Sequence, residues 1–209
     1  MRKPVVITLL MLSALQPATA QHRQEFDFFQ KEAGGRSTLY RGRQEIKYPI
    51  RYNGTYYLAS PAFQTGSVMY NGRLYENVLL NIDACDQKLL TRHEDGVMEY
   101  ALDGKAVPWA VIGGQKYVNL HDFSDLPNAF EGYYSVVRDG DSPIYLKVDK
   151  LCRTSTSNMN GETGIGYDDP SYNPDVLTYF AIQKKYYIVK DGKLKKVRPG
   201  KVRKMLNEK

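Results

Sequence analysis
A series of glycine-containing turns restricts this chain more than any other feature. From Thr38 onward, short apolar and aromatic runs are separated by Asn53-Gly54, Asn71-Gly72, Asp95-Gly96, Asp103-Gly104, Gly113-Gly114, Asp139-Gly140 and Asp191-Gly192. Asn-Gly and Asp-Gly signal hairpins because both central residues of a type I′ turn take positive φ. The pattern predicts one hairpin joining Tyr48–Tyr52 to Thr55–Leu58 across Asn53-Gly54, and a second joining Ser67–Tyr70 to Arg73–Leu80 across Asn71-Gly72. Many short strands with turns about every ten residues give a mainly β fold: an antiparallel meander, a curved sheet or a partly open barrel.

Three stretches depart from that rhythm. Residues 21–37 form an N-terminal arm in which Phe26, Phe29 and Ala33 recur at helical spacing ahead of Gly34, so a short helix with a glycine stop is expected. Residues 154–175 are polar and rich in turn-formers, and read as a long loop inside a single β-rich domain over 38–209. After it come expected strands at Val176–Ile182, Tyr186–Lys190 and around Leu194, then a short basic helix at 199–207 with Val202 and Leu206 facing inward.

The first twenty residues read as a cleavable signal peptide. Arg2 and Lys3 precede an apolar stretch from Val5 to Leu15, Pro17 breaks it, and Ala18-Thr19-Ala20 supplies the small-x-small cut. The stretch is shorter than the roughly 20 apolar residues a spanning helix needs, so a periplasmic, outer-membrane-associated or secreted protein is expected, not a membrane-spanning one. Export permits a disulfide between Cys85 and Cys152, and equally leaves them as two unrelated thiols. Closing a loop of that length would contribute about 4 kcal/mol in the chain-entropy picture.

Charge is unevenly placed. From Lys184 to the end there are eleven Lys and Arg against Asp191 and Glu208, so an acidic body carries a basic C-terminal segment. In an exported protein such a segment points to an anionic lipid or polysaccharide surface, with Lys195, Lys196 and Arg198 as candidate contacts, and not to nucleic acid. The alternative is an edge strand whose lysines, among them Lys184, Lys185, Lys190 and Lys193, discourage edge-to-edge aggregation.

Catalytic motifs are missing: there is no nucleophile elbow, no H-E-x-x-H, no phosphate-binding glycine loop and no D-x-D-x-D-G calcium loop. No catalytic residue, metal ligand set or cofactor is therefore assigned. His93 beside Glu94 and Asp95, and His121 beside Asp122, are carboxylate-neighboured imidazoles that a hydrolase or metal enzyme would need. Adjacent residues on a strand face opposite ways, however, which argues against direct cooperation. Asp168 and Asp169 in the long loop are oxygen donors of the kind Ca²⁺ takes. They read as well as a solvated turn before Pro170. Seventeen tyrosines and Trp109 serve either sheet packing or an aromatic surface for a sugar or peptide, with Tyr56, Tyr57 and Trp109 as candidates for the second use.

The stretches FDFFQKEAGGR, LYRGRQEIKYP, GSVMYNGRLYENVLLNID and YYIVKDGKLKKV are spread along most of the mature chain. Through them it resembles an uncharacterised family of secreted β-rich proteins of Gram-negative gut bacteria. The resemblance implies export and a compact β-rich fold, and it brings no functional residues. The expected function is an exported, non-catalytic module that binds an envelope protein, a glycan or an anionic surface. A small secreted hydrolase or metal-dependent enzyme is the alternative.

Overall fold
The computed structural model describes residues 38–45, 50–93, 96–126, 128–155 and 175–207, with Phe28 and Asn173 besides. The expected signal peptide, the helix of the 21–37 arm and most of the 154–175 loop, including Asp168 and Asp169, lie outside the described residues. The strands all belong to the unit that begins at Thr38.

Eleven strands among the described residues form one open antiparallel sheet. They are β1 (Arg43–Gln44), β2 (Gln64–Tyr70), β3 (Arg73–Asp83), β4 (Lys88–Arg92), β5 (Glu99–Ala101), β6 (Trp109–Ile112), β7 (Gln115–Asn119), β8 (Tyr133–Arg138), β9 (Ile144–Thr154), β10 (Thr178–Lys190) and β11 (Lys193–Val197). Their spatial order is β1-β5-β4-β3-β2-β6-β7-β8-β9-β10-β11, so a crossover carries the chain from β5 back to β6 beside β2. Two helices of regular α form complete the fold among the described residues, α1 (Leu120–Phe123) and α2 (Pro199–Asn207).

The turns that form do so for the predicted reason. Asn71 and Gly72 join β2 to β3 with φ of 50° and 72°, Gly113 and Gly114 join β6 to β7, and Asp191 and Gly192 join β10 to β11 with φ of 55° and 65°. Gly66 is required for a different reason. It sits at the register shift between β2 and β3, where a Cβ would lie 2.0 Å from the Val111 carbonyl oxygen. Asp103-Gly104 opens a 3₁₀ turn, with the Asp103 carboxylate accepting from Lys105 N–H, and makes no hairpin. The expected strands at 176–182 and 186–190 are one continuous strand, β10, because the long β9 pairs it without a break from Thr154 to Ile144.

Directly paired residues share a face of the sheet. One face collects Val68, Val78, Leu80, Ile82, Leu89, Ala110, Ile112, Tyr133 and Ile144, all buried. Each such aliphatic side chain contributes about 1.5–3 kcal/mol on removal from water. The sheet curls around this core without closing. The turn after β3 reaches β9, where the Lys150 N–H bonds the Ala84 carbonyl at 2.9 Å and the Gln87 amide bonds the Val148 carbonyl at 2.9 Å.

The Asn53-Gly54 hairpin does not form. Asn53 is buried, its side chain bonded to Asn173 N–H and to the Asn173 and Val176 carbonyls, so it anchors the start of the return to β10. Residues 50–63 become a strap across β3, β4 and β5. Its own Tyr56, Tyr57 and Phe63 pack inward with Leu90 and Phe180 as a second core cluster, against which Cys85 packs. Cys85 is half-buried there and Cys152 is exposed at the far end of β9. The two are separate thiols, so the disulfide that export would permit is not formed. At α2, Val202 is buried as expected whereas Leu206 is exposed, because the helix is held by its inner turn and by the Arg138 guanidinium on the Met205 carbonyl. No described helix is long and apolar enough to cross a membrane.

Candidate functional site
The side of the sheet away from the main core carries a smaller cluster of Leu120, Tyr134, Tyr187 and Leu194. Beside it, on the same face, β9, β10 and β11 set out polar groups by register. Lys147 stands directly opposite Lys185, and Tyr187 stands between Tyr145 and Lys196. Lys147, Lys185, Tyr187 and Lys196, with Asp149 and Phe130, line a cavity of about 320 Å³.

The charges are unbalanced. Lys147 is only 5% exposed, and its ammonium reaches Asp149 Oδ1 at 2.5 Å while lying 5.9 Å from the centre of the Tyr134 ring. Lys185 takes the other oxygen of Asp149 at 2.9 Å. Partial burial pushes the Asp149 carboxyl upward, but the two lysines outweigh it and hold its pKa below the usual 3.8. Both oxygens of the one carboxylate are thus engaged, and Lys196 has no ion-pair partner among the described residues.

Phe130 is placed over this cavity by a clamp. The buried Tyr134 hydroxyl accepts from Phe130 N–H at 2.9 Å and donates to the Phe130 carbonyl at 2.8 Å. Burial raises the Tyr134 hydroxyl to about 12, so it stays protonated and able to donate. The Phe130 ring itself remains 63% exposed. On the outer side, the Asn128 amide holds the backbone of Leu194: Leu194 N–H donates to Asn128 Oδ1 at 2.9 Å, and Asn128 Nδ2 donates to the Leu194 carbonyl. A side chain thereby occupies part of the free edge of β11.

Of the residues singled out in the sequence, Lys196 lines this cavity. Lys195 is exposed and paired with Asp191 at 2.8 Å. Arg198 is exposed, and its carbonyl accepts the Lys201 and Val202 N–H groups that start α2. The basic segment is therefore no loose tail but the end of β10, an edge strand and a helix. Tyr56 and Tyr57 are buried, not exposed on the surface. Both are 4% exposed on the inner side of the strap, where Tyr56 donates to Tyr57 at 3.0 Å and Tyr57 donates to both Glu99 oxygens at 2.7 and 2.6 Å. Burial pushes both hydroxyls up, Tyr56 to about 12. Trp109 is half-buried on β6 between Met69 and Val118.

His93 packs its ring edge against Tyr40, the centroids 5.3 Å apart. His121 does bond its neighbour, Nδ1 lying 3.1 Å from Asp122 Oδ1, because both sit on the helical turn α1 and not on a strand. Neither histidine lines the lysine cavity. Sequence reading missed Phe130, Lys147, Asp149 and Tyr187, and took Lys185 only for an edge guard. The available signal was the charged pattern Lys147-Val-Asp149-Lys150 inside an otherwise apolar strand. Compared with known proteins, the chain matches no protein-family model, no curated protein and no solved structure.

Proposed function
We propose that this protein is an exported, non-catalytic module of the cell envelope or secreted fraction, and that it holds an anionic partner on the surface formed by β10, β11 and α2. The observation that carries the reading is that the basic segment is folded. Lys184, Lys190, Lys193, Lys195, Lys196, Arg198, Lys201, Arg203 and Lys204 are exposed on those three elements and the residue that joins them, with Asp191 as the acidic residue among them. Fixed cations act together on an extended anionic surface, each contributing about 1 kcal/mol near an anionic membrane. The sequence-based expectation of an anionic envelope surface or glycan is supported by this array, and the export signal supplies the compartment.

The test is adsorption of the mature protein to vesicles of neutral lipid carrying anionic phosphatidylglycerol at low salt. Deleting the segment would remove an edge strand, so point variants are used. Lys201→Gln with Lys204→Gln lies on exposed positions of α2 and should weaken adsorption on the order of thirtyfold, from about 1 kcal/mol per cation. Adsorption that ignores both the double variant and a rise in salt would overturn the proposal.

A further inference from the structure
We propose that the cavity bounded by Phe130, Lys147, Lys185, Tyr187 and Lys196 recognises a phosphate monoester. The inference rests on the anionic-partner reading and adds to it a ligand class and a defined site.

The first argument is the register. Lys147 and Lys185 are direct cross-strand partners, and like charges in that relation destabilise a sheet. Lys147 is also buried, where a cation without compensation is costly. Asp149 compensates one positive charge with both of its oxygens in use. Counting Lys196, the cavity holds three cations and one anion and so carries a surplus of two. A fold that needed only a structural ion pair would be served by Lys147 and Asp149 alone.

The second argument is the match of that surplus. A phosphate monoester carries roughly −1.5 to −2 at neutral pH and presents three acceptor oxygens, whereas a carboxylate, a sulfate ester or a phosphodiester carries a single charge. Lysine suits such a group as a point charge on a flexible stem. The wall supplied by Tyr187, backed by the buried Tyr134, is of low polarity and concentrates the field of the lysines toward the opening. The third argument is the rim. Phe130 is an exposed ring fixed by two hydrogen bonds from its backbone to a buried tyrosine hydroxyl. An aromatic surface held in place beside an anion site suits a ligand that carries a ring or acyl group next to its phosphate. A volume of about 320 Å³ accommodates a small molecule of that kind.

A phosphate monoester could be a soluble ester or the headgroup of a lipid, and the experiment separates the two. The mature protein is titrated with phenyl phosphate and with phenyl sulfate, which share shape but differ in charge. Phenyl phosphate should bind at least tenfold more tightly, and Lys196→Gln should weaken it about tenfold, the size of one lost charge-assisted hydrogen bond. Lys196 is exposed on the edge strand, so that variant keeps its thermal midpoint. In a second arm, vesicles containing phosphatidic acid, a monoester, are compared with vesicles containing phosphatidylglycerol, a diester. Preference for phosphatidic acid that is lost in Lys196→Gln and displaced by phenyl phosphate identifies a lipid headgroup. Equal adsorption to both vesicles, with phenyl phosphate still bound, identifies a soluble ester. Equal affinity for phenyl phosphate and phenyl sulfate, or no effect of Lys196→Gln on phenyl phosphate, overturns the proposal. Lys201 and Lys204 lie outside the cavity, so their double variant reports on the surface reading and the phenyl phosphate titration on the cavity alone.

Discussion

Lys147 and Lys150 lie three positions apart on β9, are both 5% exposed, and point to opposite faces of the sheet. Their surroundings could hardly differ more. Lys150 extends under the strap and donates to the carbonyls of Thr55 and Tyr57, the former at 2.8 Å, with no ion-pair partner among the described residues. Burial lowers its pKa, against smaller opposing effects of Cys85 and Asp83. Lys147 shares one carboxylate with a second lysine in the lining of a cavity. The first arrangement satisfies the protein's own backbone and leaves nothing for a ligand. The second leaves positive charge in excess. Burial alone therefore does not separate a structural lysine from a binding one; what separates them is whether the neighbours already compensate it.

The largest effect should come from breaking the structural half of the pair. Lys150→Ala leaves the Thr55 and Tyr57 carbonyls without this donor, in a strap that is also tied down by Asn53 and by backbone bonds to β3. Each unsatisfied buried acceptor costs about 1–3 kcal/mol, partly offset by removal of a buried cation, so a loss of about 3 kcal/mol is expected. A shift of the urea midpoint at constant slope measures it. Phenyl phosphate binding by the folded fraction should not change. A destabilisation below about 1 kcal/mol would show that the strap is held by its aromatic packing and not by Lys150.

The same region supplies the next effect. Tyr57→Phe removes the donor that meets both oxygens of Glu99, a buried carboxylate. Leaving a charged acceptor without that bond costs about 2 kcal/mol, read from the same unfolding curves. This cluster also marks where sequence reading stopped. The turns at Asn71-Gly72, Gly113-Gly114 and Asp191-Gly192 were legible because positive φ is a local demand that glycine and asparagine meet locally. Asn53-Gly54 carries the same signal, yet its partners are Asn173 and Val176, 120 and 123 positions away. Tyr56 and Tyr57 read as candidate platforms because a tyrosine packed inward from a strap and a tyrosine facing water have the same sequence. The lysine cavity was illegible for a related reason: Lys147 and Lys185 become neighbours only through a register that no local pattern encodes. Lys196 was found because it lies in a charge-rich run, not because its surroundings could be seen.

A smaller effect should appear in acid. Asp149 has its pKa lowered in the folded state, so it contributes stability that is fully present above the unfolded value near 3.8 and is lost as pH falls through the lower folded value. The pair is partly open to solvent, which limits the contribution to about 0.2–1 kcal/mol. Stability followed from pH 5 down to pH 2 should fall less steeply in Asp149→Asn than in the parent protein. Parallel curves would mean that the carboxylate is not compensating the two lysines, and the contrast between Lys147 and Lys150 would lose one of its terms.

The smallest change in stability should come from the binding half, Lys147→Met. Removing this lysine leaves Asp149 with Lys185 as its partner and ends the like-charge contact across the strands. Methionine is unbranched and adaptable enough to lie along the Tyr134 ring that now faces the ammonium. Replacing a buried charge by a well-packed apolar side chain of similar length is often neutral, so a change within about 1 kcal/mol of zero is expected although the native residue is only 5% exposed. Phenyl phosphate binding should nonetheless drop at least as far as in Lys196→Gln, because Lys147 is the most buried of the three lysines that line the cavity. Two lysines of equal burial on one strand would then give opposite results, one carrying stability without binding and the other binding without stability. If Lys147→Met instead unfolds the protein as readily as Lys150→Ala, the Lys147–Asp149–Lys185 group is a structural network, and the surplus charge is a feature of the fold rather than a ligand site.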